Sequence, residues 1–290
     1  MLDREGYPIS MNEIVWHYCS KETFVKIIEE GYFMLGDLRN MTDSSEFSAF
    51  FDEISSIVKK TNQVENAGKI VGALYGSGHR FSASFSYSND MFPMWKIYGD
   101  DGEGFAIGFD KQKLESLKSD EVKIISGDIN YFNEENKKII QEALSNIKAG
   151  YEYVQIASEL ENRKIKWQLY KSPQFEYEKE WRLYVDIDDF LSQKCVENCI
   201  SCCSKLEHVP SDCATFDIDF ESCIAKITLS SNSVVFKLKL LNDEESLVTN
   251  VIIGPLNKCK KSQIDAFLKK NNFYGVEVMA SNCPLVEKIK

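Results

Sequence analysis

The 290 residues can bury a sizeable core, and with 43% hydrophobic and 27% charged residues the composition is that of a globular protein. A formal charge of −11, from 34 basic and 45 acidic residues, excludes a protein that grips nucleic acid non-specifically through its phosphates, whereas one nucleotide held by a few local groups stays compatible. No run reaches the length of a bilayer-spanning helix, and the opening MLDREGYPIS lacks the basic start and apolar stretch of a signal peptide, so a cytoplasmic location with no membrane partner is expected.

No Pro/Gly-rich linker or internal repeat divides the chain, so a single domain over residues 1–290 is expected. His17, in IVWHYCS, stands where a first strand meets a first helix; a lone histidine there is either a hydrogen-bonded core residue or a functional one. Ser20 suits the N-cap of a helix over Lys21–Glu30, with Gly31 as a left-handed stop and Phe24, Ile27 and Ile28 as the apolar face. A second helix is expected from Ser45 to Lys60, where Phe47, Phe50, Phe51, Ile54, Ile57 and Val58 recur at helical spacing.

The period then changes. In RFSASFSYS, Phe81, Ala83, Phe85 and Tyr87 alternate with Ser82, Ser84, Ser86 and Ser88, the pattern of a strand. Short hydroxyls on one face leave room for a ligand and can bond it in either sense; the alternative is a plain polar outer face. DMFPMWKIYGDDGEGF sets Trp95 and Tyr98 among glycines, which suits either a ring stacked in a cleft or core plus turn. Phe105, Ile107 and Phe109 mark a further strand, and residues 133–169 read as a helical insertion of two helices parted near Gly150.

FEYEKEWRLYVDI, from Phe175 to Ile187, reads as one strand with Glu176, Glu178, Glu180 and Arg182 on one face and Lys179 on the other. Like charges so close repel, so this row is either a solvated face or a site that uses negative charge. The segment 195–223 is rich in cysteine; Cys199 and Cys202 form a CxxC pair, but with no second pair reduced thiols are preferred to structural zinc. Strands near Ile224–Leu229, Ser233–Leu241 and Val248–Ile253, a helix over Ser262–Asn271 and a strand Val276–Ala280 complete the chain. Helices early and strands late, with little βαβ alternation, give an α+β class.

With WHYCS, TDSSE (Thr42–Glu46), FSASFS, MWKIYGDDGEGFAIGF and FEYEKEWR in this order, the chain resembles the bacterial domain-of-unknown-function family 2971 over roughly Ile14–Ser281. Thr42 stands where that family has Asn. A more distant resemblance is to the ADP-ribosyltransferase superfamily: a His by the first strand, a helix ending in Gly, a serine-bearing strand and a late Glu-x-Glu.

That second resemblance implies a split β-sheet core with an N-terminal helical portion, and NAD as a substrate that is consumed. It implies His17, with Tyr18 beside it, at the NAD ribose region, Ser84 or Ser86 bracing the cleft, and Trp95 and Tyr98 against the nicotinamide. Glu180 would contact the ribose 2'-hydroxyl and Glu178 would orient or deprotonate the acceptor. Arg182 would balance the carboxylates or meet a pyrophosphate oxygen. The implied activity is ADP-ribosyl transfer to a protein, nucleic acid or water acceptor, the last being NAD glycohydrolysis, as in a toxin or phage-defence effector. Two other readings stand beside it. One is a metal-dependent phosphodiesterase or nuclease using Glu176, Glu178, Glu180 and Asp43, against which Lys179 faces away from the acids. The other is a non-catalytic ligand-binding module.

Overall fold

The computed structural model describes residues 13–37, 50, 52–53, 56, 80–118, 122–145, 162–163, 165–186, 214–219, 224–229, 234–241 and 245–284. β1 (Ile14–Cys19) runs into α1 (Lys21–Glu30), whose ends are those expected from its caps. Ser20 Oγ accepts the Thr23 N–H at 3.2 Å, and Gly31 closes the helix at φ 67°, a backbone region that suits glycine. β2 (Tyr32–Asp37) follows directly. The helix expected over 45–60 lies almost wholly outside the described residues.

β3 (Arg80–Ser86) is the serine-bearing strand, ending before Tyr87 and Ser88. The segment with Trp95 and Tyr98 forms α2 (Phe92–Ile97), with Pro93 in the first turn where its missing N–H costs nothing, and a 3-10 turn at Asp100–Gly102. β4 (Phe105–Asp110) matches the expected strand, and α3 (Lys111–Glu115) follows it. β5 (Lys123–Asp128) was not expected, because KIISGD sets two isoleucines side by side and breaks the alternation. β6 (Asn130–Tyr131) leads to α4 (Glu134–Ser145), the described part of the helical insertion; Gly150 and its surroundings lie outside the described residues. β7 (Tyr170–Lys171) returns to pair with β6 and closes the base of that excursion.

The long acidic strand expected from Phe175 to Ile187 is corrected. Pro173–Glu178 winds as a 3-10 helix, Lys179 turns the chain at φ 45°, and β8 begins only at Glu180, running to Asp186. Pro173 opens the helix and the left-handed Lys179 ends it, so Glu176 never joins the row with Glu178 and Glu180. β9 (Ala214–Asp219) falls inside the segment read only for its cysteines; Cys195, Cys199, Cys202, Cys203, Cys213 and Cys223 lie outside the described residues. β10 (Ile224–Leu229), β11 (Val234–Lys239), β12 (Val248–Ile253), α5 (Lys261–Lys270) and β13 (Glu277–Ala280) keep close to the expected bounds.

The architecture is mixed α and β, built on one open eleven-stranded sheet. Its main path runs β13-β12-β4-β1-β3-β2-β11-β10-β9, with β8 and then β5 added on β3. α5 makes the crossover that lets β13 lie parallel to β12; the other pairs of this sheet are antiparallel. One face packs Phe24 and Ile28 of α1 and Leu268 of α5 against Phe85, Phe105, Ile107 and Trp181. On the other face Trp16 and Tyr18 of β1 meet Met94 and Trp95 of α2. Among the described residues no helix is long and apolar enough to cross a membrane.

β3 positions the site. One edge pairs with β8 along its whole length, from Arg80↔Asp186 to Ser86↔Glu180. The other edge is shared: β1 meets it only at Trp16↔Ser86, and β2 only at Gly36↔Ser82 and Asp37↔Phe81. Between those contacts β1 and β2 fork apart, and residues 83–85 have no ladder partner on that edge among the described strands.

Candidate functional site

A cleft of about 410 Å³ opens at this fork. That is within the roughly 300–1,000 Å³ typical of small-molecule sites. Its walls combine apolar groups (Trp16, Phe33, Met34, Ala83, Phe85, Met94) with His17, Tyr18, Ser82, Ser84, Ser86, Tyr98, Lys171, Glu178 and Glu180.

His17 follows from the fork. Where the ladder lapses, its imidazole replaces a strand: Nδ1 lies 3.2 Å from the Ser84 carbonyl oxygen. A carbonyl only accepts, so Nδ1 carries the proton and Nε2 keeps its lone pair. Phe33 and Phe85 hold the ring edge-on, at centroid distances of 4.8 and 6.1 Å. The ring sits deep in the molecule, with part of its edge reaching the cleft; burial pushes its pKa below the ordinary imidazole value despite the hydrogen bond to Ser84. The residue is thus both a hydrogen-bonded interior histidine and a cleft-lining one.

The acids form the opposite wall. Glu178, last residue of the 3-10 helix, and Glu180, first of β8, are both buried, which rules out a solvated carboxylate face. Lys171 Nζ donates to Glu178 Oε2 at 2.5 Å and to Glu180 Oε2 at 3.0 Å. Arg182 Nε donates to Glu180 Oε1 at 2.7 Å, Ser84 bonds the same carboxylate, and Tyr98 donates to Glu178 Oε1 at 2.8 Å. Burial alone would raise the Glu180 pKa; the Arg182 and Lys171 charges, with hydrogen bonds from Arg182 and Ser84, overcome it and hold the carboxyl below its ordinary value. Glu180 is therefore an anion matched by cations in a water-poor wall.

The residues expected at a site separate into three groups. His17, Tyr18, Ser84, Ser86, Tyr98, Glu178 and Glu180 all line the one cleft. Ser86 is committed to the backbone: its hydroxyl donates to the Glu178 carbonyl at 2.6 Å and accepts the Ser88 N–H at 3.0 Å. Tyr18 hydroxyl donates to the Ser88 carbonyl at 2.8 Å, tying β1 to the chain after β3. Arg182 stands behind Glu180 and does not line the cleft. Trp95 does not line it either. Its ring is wholly buried behind Tyr18, 4.9 Å between centroids, and its indole N–H donates to Asp90 at 2.6 Å.

Of the acids once grouped with them, Glu176 is exposed and Asp43 lies outside the described residues. Among the described residues no group of three or more His, Cys, Asp or Glu could hold a metal ion. Cys19 is no nucleophile, since burial pushes its thiol up to about 12. Sequence reasoning missed Lys171 entirely. The available signal was weak: a lysine that follows Leu169 and Tyr170 and stands just before the acids.

Comparison with known proteins adds one finding. Residues 94–183, from within α2 to the middle of β8, match a family model described as a protein of unknown function (DUF2971). The matched stretch contains Tyr98, Lys171, Glu178 and Glu180 of the acidic wall of the cleft, and Arg182 behind it. No curated protein and no solved structure gives a significant match to the chain.

Proposed function

We propose that this chain consumes NAD, breaking the nicotinamide–ribose bond and passing ADP-ribose to an acceptor or to water. The observation that carries the reading is the meeting of His17, Ser84, Tyr98, Glu178 and Glu180, far apart in the chain, around one cleft at the fork of the sheet.

The chemistry needs a fixed anion and a place for a flat ring. As the glycosidic C–N bond breaks, the bonding pair leaves with neutral nicotinamide and positive charge develops at the ribose. Glu180, held ionised by Arg182 and Lys171, stabilises that charge as it forms. The lone pair on His17 Nε2 accepts a hydrogen bond from the ribose or the carboxamide. Tyr98, more than a third exposed, offers its ring to nicotinamide while its hydroxyl orients Glu178. Glu178 takes the proton released when the acceptor's lone pair attacks the ribose.

The test is direct. Purified protein is incubated with NAD and free nicotinamide is followed, with Glu180→Gln and His17→Ala alongside and labelled NAD in lysate to catch an acceptor. Release or transfer in wild type that is lost in both variants is the expected result. Neither release nor transfer by the folded wild-type protein would end the reading.

Lys171 also favours a second reading, a metal-dependent phosphodiesterase, because a lysine does stand beside the acids. Its ammonium, however, already occupies the space between Glu178 and Glu180, and with Arg182 it balances both charges. A divalent cation would have to displace it. Mg²⁺-dependent cleavage of a nucleotide substrate would decide for this alternative.

A further inference from the structure

We propose that Lys171 is the positioning residue of this cleft: it keeps Glu178 and Glu180 charged together and aimed at one point, a role that rests on the reading of those acids given above.

The two carboxylates belong to separate pieces of backbone. Glu178 ends the 3-10 helix and Glu180 starts β8, with the left-handed Lys179 between them. Separate groups hold each: Tyr98 bonds the Glu178 carboxylate, with Ser86 on that residue's backbone carbonyl, and Arg182 and Ser84 bond the Glu180 carboxylate. Lys171 Nζ is the atom that bonds both carboxylates, at 2.5 and 3.0 Å.

Its seat is built for the purpose. The side chain is 1% exposed, and Nζ lies 4.7 Å from the centre of the Phe175 ring. Its carbonyl accepts the Phe132 N–H at 3.1 Å, which locks β7 onto the chain after β6. From β6, the Tyr131 hydroxyl accepts the Glu180 backbone N–H at 2.9 Å. Among the described residues, the titratable and charged groups around the ammonium include Glu178, Glu180, Arg182 and Tyr131, with Tyr98 behind Glu178.

Stability alone is a poor reason for this arrangement, because an apolar side chain of similar volume usually replaces a buried ion pair without loss. Charge is the better one. Without Lys171, Glu178 loses the ammonium it shares with Glu180 while Arg182 still pairs Glu180, and mutual repulsion of the two carboxylates favours a proton on one of them at a higher pH than usual. The site then loses either its fixed anion or its proton acceptor.

The experiment follows the glutamate side-chain carboxyl carbons by NMR through a pH titration, in wild type and in Lys171→Met, which keeps the length of the side chain. Nicotinamide release is measured over the same pH range. In Lys171→Met one carboxyl is expected to titrate at least about one pH unit above the ordinary glutamate value of about 4.3, a titration absent from wild type. The acid limb of the rate profile should move up by the same interval, and a small alkylammonium ion should restore activity to Lys171→Ala. Lys171→Gln, which keeps a hydrogen-bond donor without charge, gives the same reading if the methionine variant does not fold. No new titration, with an unchanged pH profile and only lowered stability, overturns the proposal. A new titration in the variant beside a wild type inert toward NAD leaves the charge pairing standing and removes the NAD reading.

Discussion

β3 and β4 are neighbours of β1 in the same sheet, yet only one of them borders the cleft along its length. β4 is paired on both edges, with β1 from Ile14↔Asp110 to Cys19↔Phe105 and with β12, and all six of its residues are buried. β3 is paired fully with β8 but forked on the other edge, where Ser84 gives its carbonyl to a side chain instead of a strand. A continuous ladder leaves no room for a ligand and no backbone group to spare. The site arises where the ladder is interrupted and a histidine makes good the missing hydrogen bond.

Substitutions can set the two strands against each other. The largest effect is expected on the paired side: Phe109→Ala in β4, at a fully buried ring, should cost about 3–5 kcal/mol in chemical denaturation. The remaining folded fraction should keep its activity per molecule. On the forked side, Glu180→Gln should lower nicotinamide release by about 100- to 1,000-fold, the usual loss when one preorganised electrostatic group is removed. His17→Phe fills the same space but leaves the Ser84 carbonyl unpaired, so a stability loss of about 1–3 kcal/mol should accompany the loss of activity.

Acid should act through the forked side as well. His17 and Glu180 both titrate lower in the fold than in the unfolded chain. Below the ordinary value of each, the unfolded chain therefore holds a proton that the fold refuses, and stability falls as pH falls. It should be greatest above 6.5, decline first as His17 would protonate, and decline again below 4.5 as Glu180 would. Denaturation midpoints followed across that range should lose the first step in His17→Phe and the second in Glu180→Gln. The smallest effect belongs to Glu176→Gln, at an exposed residue outside the cleft, which should change stability by less than about 0.5 kcal/mol and leave activity intact.

Much of this was legible in the residues. α1 announced both ends through Ser20 and Gly31, and β3, β4 and β12 announced themselves through alternation or apolar runs. The convergence of His17 with the late acids on one cleft could be expected only from resemblance, because no local pattern encodes which remote residues will line the same hollow. The break at Lys179 was hidden: alternation ran on through Phe175–Glu180 although Pro173 had already favoured a turn. Lys171 was hidden for a different reason. A buried lysine looks like any surface lysine until its partners are known, and those partners come from a helix end and a strand start that only folding brings together.

Asp90 has a bearing on how the protein is made. It takes the Trp95 indole N–H, while its carboxylate also accepts from Ser281 Oγ at 2.5 Å and from the Asn282 N–H at 2.6 Å. The helix that presents Tyr98 is thus pinned by residues synthesised almost 190 positions later. A nascent chain still lacking them cannot finish that anchor, so the wall that carries Tyr98 is completed only when translation has reached Asn282.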